Sequence, residues 1–428
     1  MMWAVVGLLL LLFLSGMPIV LAVGAVVLFY VVAFADVPLA IIPQQTIGAI
    51  DSFLLLAIPM FLLTGQLMGD ADITRRFIRF SQSLVGWMRG GIGQVNVLSS
   101  ILMSGISGSG LADAAATGSV LIPIMKRSGY GAPFSAALTG CACAVIGPMI
   151  PPSIIMVLIG GLTSVSIARM FLGGIIPGLL LGLFFGIVVY FTARQRNFPR
   201  SASFSGREVV VSFWGALPSL GLPIIIIGGI LAGVFTPTES AAVAVIYTIG
   251  LGLCYRQMSF SVFYRAVVEV GVTTATVLFI IGISGIFGWM LVSESIGDAI
   301  VEWLVGITTN QTLMLLLISG VFLMLGCFVD SVAILVLAIP VLMPLVLQLG
   351  IDPVAFGVIA SLALATGLVT PPFGLIMFLM CRMADVRIES FAKELIPLLG
   401  AVLAALVLLI VFPELILWLP DLILGEAP

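Results

Sequence analysis

The chain has 428 residues, of which 61% are hydrophobic and only 8% are charged. A soluble domain is roughly 45–50% apolar and about 25% charged, so this composition indicates a polytopic membrane protein surrounded by lipid. The net charge of −3 gives no support for binding nucleic acid, and the absence of histidine excludes an imidazole base or metal ligand. The five cysteines show no CxxC spacing, so we interpret them as packing residues.

Long apolar segments dominate the chain, and two of them are unusual. The segments 93–125 and 311–347 are too long for one simple crossing, and each has Gly, Ser or Pro near its middle. This pattern predicts two re-entrant helical hairpins with tips at membrane depth. The N-terminal segment lacks a basic n-region and is predicted to be a retained helix. In chain order the apolar segments are 1–14, 17–35, 50–68, 93–125, 133–162, 171–193, 212–234, 238–256, 268–292, 311–347, 354–381 and 395–418.

A Gly-x-x-x-Pro-Pro element occurs twice, at 147–152 and about 220 residues later at 367–372. A Pro-Pro pair removes two backbone donors and disfavours helical geometry just before it, so each copy predicts a broken membrane helix. Paired broken helices in two halves of a chain are a sequence sign of a transporter binding site. Five crossings per copy, with the hairpins returning to their own side, turn the second copy upside down. The predicted fold is an all-α membrane protein with two inverted-topology repeats.

The charges of the loops agree with this inversion. The loop after the third segment is basic, whereas the corresponding loop of the second copy carries only acidic residues. By the positive-inside rule the 69–91 loop and the 194–207 linker are cytoplasmic, and both termini lie outside. The residues of the two loops are Arg75, Arg76, Arg79 and Arg89 in the first copy and Glu294, Asp298 and Glu302 in the second.

Several sequence motifs occur in order along the chain: 50–59 followed by Gly65, 107–113, both Gly-x-x-x-Pro-Pro elements and 235–240. Together they resemble the motifs of the large membrane subunit (DctM-like) of tripartite ATP-independent periplasmic (TRAP) transporters. The resemblance implies a sodium-driven, elevator-type importer of an organic acid in the bacterial inner membrane, and not an enzyme. It also implies two partners, a small four-helix membrane subunit (DctQ-like) and a periplasmic substrate-binding protein (DctP-like). The substrate would be a carboxylate such as a C4-dicarboxylate, sialic acid or a keto acid.

Sodium ions, two or more, are the predicted cofactors, with no organic cofactor. Unwound carbonyls at helix breaks offer the oxygen ligands that a hard cation prefers, so each hairpin tip should meet the broken helix of its own copy. Serine hydroxyls in membrane helices also serve close packing alone, which remains the alternative. The first predicted sodium site comprises Ser104, Ser107, Gly147, Ile150 and Ser153, and the second comprises Gly326, Thr366, Gly367, Thr370 and Phe373.

Acidic residues at membrane depth are costly and need a reason. Asp113 and Asp330 lie beside the hairpin tips, where they could shape the ion field, bind a proton or cap a helix. Glu239 follows Thr236 in a pattern that predicts a helix start. The predicted substrate vicinity comprises Ser109, Asp113, Pro151, Pro152, Asp330, Pro371 and Pro372.

The predicted function is that of a secondary transporter that works by alternating access. Three other classes compete: an ion channel, an intramembrane enzyme, and an ion-coupled organic-anion transporter that works without a binding protein. The duplication favours alternating access over a channel, and no HExxH or GxSxG site supports an enzyme.

The transporter interpretation divides the chain into six parts. They are 1–92 (scaffold and interfacial arm), 93–162 (first hairpin and broken helix), 163–210 (helix and cytoplasmic linker), 211–310 (second scaffold and arm), 311–384 (second hairpin and broken helix) and 385–428 (C-terminal helix).

Overall fold

The computed structural model describes residues 7–8, 11–12, 15–35, 37–70, 73–200 and 203–425. Within these ranges the chain is helical and has no β-strand, so the predicted all-α membrane class is confirmed. Six of the described helices are long and apolar enough to cross a membrane, or up to 8 if each bent pair is one span. The predicted segment 1–14 lies largely outside the described residues.

Proline, glycine and capping residues divide the first copy into nine helices and one short 3₁₀ turn within the described ranges. A Pro-Pro pair separates α7 from α8, and a left-handed glycine separates α5 from α6. The helices are α1 (Ile19–Ala33), α2 (Ile41–Ile50), the 3₁₀ turn Phe53–Leu56, α3 (Ala57–Asp70), α4 (Ile73–Val85), α5 (Gly91–Ser107), α6 (Gly110–Arg127), α7 (Ala132–Ile146), α8 (Ile154–Thr163) and α9 (Ile167–Gln195).

The second copy repeats this order. Its hairpin helices have 16 and 18 residues against 17 and 18 in the first copy, and its broken helix has the same 15- and 10-residue halves. The helices are α10 (Gly206–Leu231), α11 (Pro237–Cys254), α12 (Phe260–Ser293), α13 (Ile296–Ile307), α14 (Gln311–Gly326), α15 (Ser331–Gln348), α16 (Pro353–Gly367), α17 (Leu375–Ala384), α18 (Ile388–Val411) and α19 (Glu414–Leu424). The structure therefore contains the two predicted hairpins and the two predicted broken helices.

The C-terminal region differs from the single helix that was predicted for it. Helix α18 ends at Val411 and α19 begins at Glu414, because Pro413 has no backbone donor and starts a new helix instead. Helix α19 packs on α9. Arg169, at the start of α9, donates to the carboxylate of Asp421 and to the carbonyl of Gly425. Arg169 thus ties the C-terminal helix to α9.

The two hairpins and broken helices form one interlocked body. The short helix α8 of the first copy packs on α15, a hairpin helix of the second copy. In the same way α17 of the second copy packs on α6 and α7 of the first. Met380 of α17 fills the space above Gly118 and Gly140, where a Cβ would come within 3.2 Å and 2.8 Å of its side chain. Each copy therefore completes the core of the other.

The remaining helices pack around this body, and α4 joins the two groups. Its apolar face buries Phe77 and Phe80, and its opposite face exposes Arg75 and Arg79, so the helix is amphipathic. The helix packs on both α5 and α10. Arg79 donates to Glu208 at 2.9 Å, and the Ser83 and Ser212 hydroxyls are 2.8 Å apart. These contacts brace α4 against the helix that begins the second copy.

Candidate ion and substrate site

The tip of the first hairpin lies directly against the first helix break. Gly108 ends α5 in the left-handed conformation, with φ of +61°, which glycine adopts without steric strain. A Cβ built on Gly108 would lie only 2.4 Å from the carbonyl oxygen of Pro152. Gly65 of α3 approaches the tip from the other side, since its Cβ would lie 2.9 Å from the Cα of Ser107. Glycines therefore allow the backbone of the tip to touch both neighbours.

A second close contact joins the same hairpin to the broken helix. A Cβ on Gly110 would lie 2.9 Å from the carbonyl oxygen of Cys143, and a Cβ on Gly147 would lie 2.9 Å from the Cα of Gly110. Glycine at position 110 therefore has a packing reason. An alanine would require α6 and α7 to move apart.

The second copy has the same arrangement. A Cβ on Gly367 would lie 2.4 Å from the carbonyl carbon of Gly326, and a Cβ on Gly326 would lie 2.8 Å from the carbonyl oxygen of Leu364. The tip here is longer, with four residues between the helices in place of two. In both copies, then, the hairpin tip meets the broken helix of its own copy, as the sequence predicts.

The residues of the first predicted sodium site lie at the first hairpin tip and the first helix break, but their side chains have different partners. Ser104 donates to the carbonyl of Ser100 at 2.6 Å, which is the packing arrangement weighed against ion binding. Ser153 caps α8 by accepting from the Met156 amide at 3.3 Å. The Ile150 side chain packs on Gly178 of α9, so only its backbone could serve an ion. The hydroxyl oxygens that donate still carry free lone pairs.

The second predicted sodium site contains two threonines on consecutive turns. Thr366 donates to the carbonyl of Leu362 and Thr370 donates to the carbonyl of Thr366, both at 2.7 Å. Both hydroxyls donate their protons to helix carbonyls, so their oxygen lone pairs stay available to a cation. Phe373 is different, because its side chain is 56% exposed and any contribution to an ion site must come from its carbonyl.

The two acidic residues beside the tips have separate roles in the structure. Asp113 is fully buried; its Oδ1 accepts from the Ser107 hydroxyl at 2.5 Å, and its Oδ2 has no partner among the described residues. Asp330 caps α15 by accepting from the Val332 amide at 2.9 Å, the capping role considered from the sequence. Ser109 caps α6 in the same manner, accepting from the Ala112 amide at 3.4 Å.

The prolines of the predicted substrate vicinity lie in unequal surroundings. Pro151 and Pro152 are buried, whereas Pro371 is half-buried and Pro372 is exposed. The second break therefore opens onto space that the first break lacks. Glu239, by contrast, belongs to a capping box with Thr236 at the start of α11, so it serves helix initiation as predicted.

That space is a cavity of about 370 Å³ between the second tip, the second break, the start of α1 and α12. It is of the size of small-molecule sites, which are about 300–1,000 Å³. The sequence reasoning missed its most prominent side chain, Phe328. A large aromatic residue in a hairpin tip, two residues before the capping Asp330, was the signal that could have identified it. The residues that line the cavity include Ile280, Phe328, Val329, Asp330, Ala333 and Phe373.

The comparisons with known proteins identify the family. Residues 6–415 match the family described as "Tripartite ATP-independent periplasmic transporter, DctM component". The chain is 39% identical to the sialic acid TRAP transporter large permease protein SiaM of Vibrio cholerae, over 96% of both proteins. It is 37% identical to the C4-dicarboxylate TRAP transporter large permease protein DctM of Pseudomonas aeruginosa, over 87% of both. It is 36% identical to the isethionate TRAP transporter permease protein DctMQ of Oleidesulfovibrio alaskensis, over 92% of this chain but only 62% of that longer protein.

Solved structures support the fold. The YdaH transporter of Alcanivorax borkumensis matches with a TM-score of 0.64 and 15% identity over 89% of this chain and 90% of that one. MtrF of Neisseria gonorrhoeae matches with a TM-score of 0.61 and 15% identity over 87% and 84%. The family consists of transporter permeases and not enzymes, as the sequence predicted. The chain is therefore a member of the DctM family, the large permease component of TRAP transporters.

Proposed function

We propose that the chain is the sodium-coupled transport subunit of an importer for an organic acid. A periplasmic binding protein delivers the acid, and a small four-helix membrane subunit completes the permease. The observation that carries this proposal is the backbone contact between each hairpin tip and its helix break, at Gly108 with Pro152 and at Gly326 with Gly367. Unwound backbone at such a place offers carbonyl oxygens without burying a full countercharge, which suits a monovalent cation.

In this proposal one sodium ion binds at each contact. The first ion takes oxygens of Ser104, Ser107 and Ser153 together with the carbonyl region of Gly147 and Ile150. The second takes hydroxyls of Thr366 and Thr370 together with the carbonyl region of Gly326, Gly367 and Phe373. Support comes from Ser104, Thr366 and Thr370, whose hydroxyl protons are already donated to helix carbonyls and whose lone pairs are free.

We assign the moving body of an elevator to the two hairpins and the two broken helices, residues 93–162 and 311–384. The cross-packing of α8 on α15 and of α17 on α6 favours a single rigid unit. Helices α9 and α18 pack on this unit, so we assign them to the moving body as well. Helices α1 to α3 and α10 to α12, with the arms α4 and α13, form the scaffold. Gly105 approaches Pro223 of α10 at the sliding boundary, where a Cβ built on Gly105 would lie 3.1 Å from the Pro223 Cγ.

The charge pattern supports inverted repeats in the bacterial inner membrane. Arginines follow the third helix of the first copy, and acidic residues follow the corresponding helix of the second. The positive-inside rule places the 69–91 segment and the 194–207 linker in the cytoplasm and both termini in the periplasm. Such a topology lets the two breaks approach the membrane centre from opposite sides.

The membrane potential supplies part of the work. Moving one charge inward is worth about 2.3 kcal/mol per 100 mV, so two sodium ions contribute roughly 5 kcal/mol at 100 mV. A negatively charged acid cancels part of that electrical energy. Import of a dicarboxylate therefore calls for at least two sodium ions for each substrate molecule.

The test is uptake into proteoliposomes by this chain, its small membrane subunit and its binding protein, all purified. We expect accumulation only with an inward sodium gradient and only with all three components. A potassium gradient of equal size is the control. Accumulation by this chain alone would contradict the tripartite assignment, and accumulation without sodium would contradict the coupling. Passive equilibration without accumulation would indicate a channel.

A further inference from the structure

The two copies match closely in helix length, but they differ at two aromatic residues beside the second break. Ser153, directly after the first Pro-Pro pair, is buried and caps α8. Phe373, directly after the second pair, caps no helix, because Gly374 is the N-cap of α17, and its ring is 56% exposed. The second tip also has two extra residues, and it presents Phe328 with 59% exposure. Since the repeated framework forms without these rings in the first copy, they have another purpose.

The two rings lie together at the 370 Å³ cavity. Their centroids are 5.6 Å apart with an interplanar angle of 46°, so they form a tilted pair and not a stacked one. The cavity also contacts α12 of the proposed scaffold through Ile280. A site between the moving body and the scaffold is where an elevator must hold its substrate. The rings are therefore in position to contact a transported molecule.

The charges at the cavity restrict what can bind there. Asp330 is the one charged side chain of the lining, and no Lys or Arg lines it within the part of the chain that the structure describes. The faces of Phe328 and Phe373 also carry negative potential. A second carboxylate on the substrate would meet these groups and be repelled. Hydroxyl or amide N–H groups could instead donate to the Asp330 carboxylate, and a C–H-rich face could pack on the rings.

We infer that this cavity is the substrate site and that Phe328, Phe373 and Asp330 select a monocarboxylate with a hydroxylated, C–H-rich body, such as a sugar acid, over a C4-dicarboxylate. The inference rests on the proposed transport function and adds the substrate class. The single carboxylate of such a molecule points away from Asp330, towards the contact of Gly326 with Gly367 and the sodium ion assigned to it. The rings hold the remainder of the molecule.

The test measures binding to the purified membrane pair, this chain with its small subunit, in saturating sodium and without the binding protein. The probes are sialic acid and succinate at millimolar concentration, and binding is followed by saturation-transfer NMR. We expect sialic acid ring protons to receive saturation and excess succinate to leave that signal unchanged. Phe328→Leu and Phe373→Leu keep apolar bulk but remove the ring, and each should weaken sialic acid binding by about 2- to 10-fold.

Two further variants sharpen the test. Phe378→Leu, on α17 outside the cavity lining, is the matched control and should bind as the unmodified protein does. Asp330→Asn keeps a side chain that caps helices well but removes the charge, so succinate should now compete with sialic acid. Failure of sialic acid to bind, equal competition by succinate in the unmodified protein, or unchanged affinity in both ring variants would each overturn the inference.

These outcomes are separable from a failure of the proposed function. Sodium-driven uptake is measured on the complete three-component system with the acid that its own binding protein retains. If that uptake is present while the ring variants bind sialic acid normally, the transport function stands and the substrate assignment falls. If uptake is absent or independent of sodium, the proposed function falls first.

Discussion

The contact between Gly108 and Pro152 gives the most decisive test of the site. Alanine at position 108 places a Cβ 2.4 Å from the Pro152 carbonyl oxygen. Because ordinary contact between such atoms begins near 3.4 Å, the carbonyl must move away from the tip by about 1 Å. Alanine also pays for the left-handed backbone, at roughly 1–2 kcal/mol. The first effect displaces the proposed sodium ligands, whereas the second only lowers stability.

Gly129 offers a control that separates the two effects. It joins α6 to α7 with φ of +86°, and a Cβ there would meet nothing within 4 Å. Gly129→Ala therefore carries the backbone strain without the clash. We expect both variants to lose a similar amount of thermal stability from strain, with an additional loss in Gly108→Ala from the clash.

The assay is sodium-dependent uptake by the complete transporter in proteoliposomes, normalised to folded protein. A displacement of about 1 Å in a site that needs exact geometry lowers rates by about 10- to 100-fold, and we expect Gly108→Ala to fall in that range. Gly129→Ala should transport at close to the unmodified rate. Equal uptake and equal sodium dependence in the two variants would show that the first tip and break do not form the coupling site.

Two further predictions concern the second sodium site and the topology. Thr370→Val keeps the side-chain shape but removes the hydroxyl; losing one ligand should cost about 1–3 kcal/mol and raise the half-saturating sodium concentration roughly 5- to 150-fold. Thr276→Val is the control: it removes a hydroxyl with the same i−4 hydrogen bond at an exposed position of α12, and it should leave the sodium dependence unchanged. A change in the maximal rate alone in Thr370→Val would refute ligation. For topology, Arg89→Cys and Ala299→Cys, made in a Cys254→Ser background because Cys254 is the exposed native cysteine, should label from opposite membrane faces, and labelling of both from outside would refute the inverted repeats.

The amino-acid sequence alone determined the membrane class, the two hairpins and the two broken helices. These features follow from chemistry that acts within a few residues. A Pro-Pro pair ends a helix in any surroundings, glycine permits a left-handed tip, and a run of apolar residues needs lipid or a protein core. The capping boundary at Thr236 and Glu239 was predictable for the same reason, since a capping box spans only one helical turn.

The tertiary structure decided which groups face one another. The approach of Gly108 to Pro152 joins the first hairpin tip to the first helix break, and it depends on how α5 and α7 are rotated and spaced. Sequence spacing could not show that the Ile150 side chain turns towards Gly178 of α9, or that Ser104 uses its proton on Ser100. Packing is set by the shapes of all neighbouring helices together, so it is not readable from any one segment.

The aromatic cavity shows most clearly what the sequence determines and what only the tertiary structure decides. The sequence contains Phe328 in a hairpin tip and Phe373 after a helix break, 45 positions further along the chain. Each alone is an unremarkable apolar residue in a chain that is 61% hydrophobic. Only the meeting of the second tip with the second break brings the rings to 5.6 Å and leaves them exposed beside Asp330. The positions of proline and glycine determine where the helices break. The site itself exists because folding brings a hairpin tip, a helix break and their neighbours together in space.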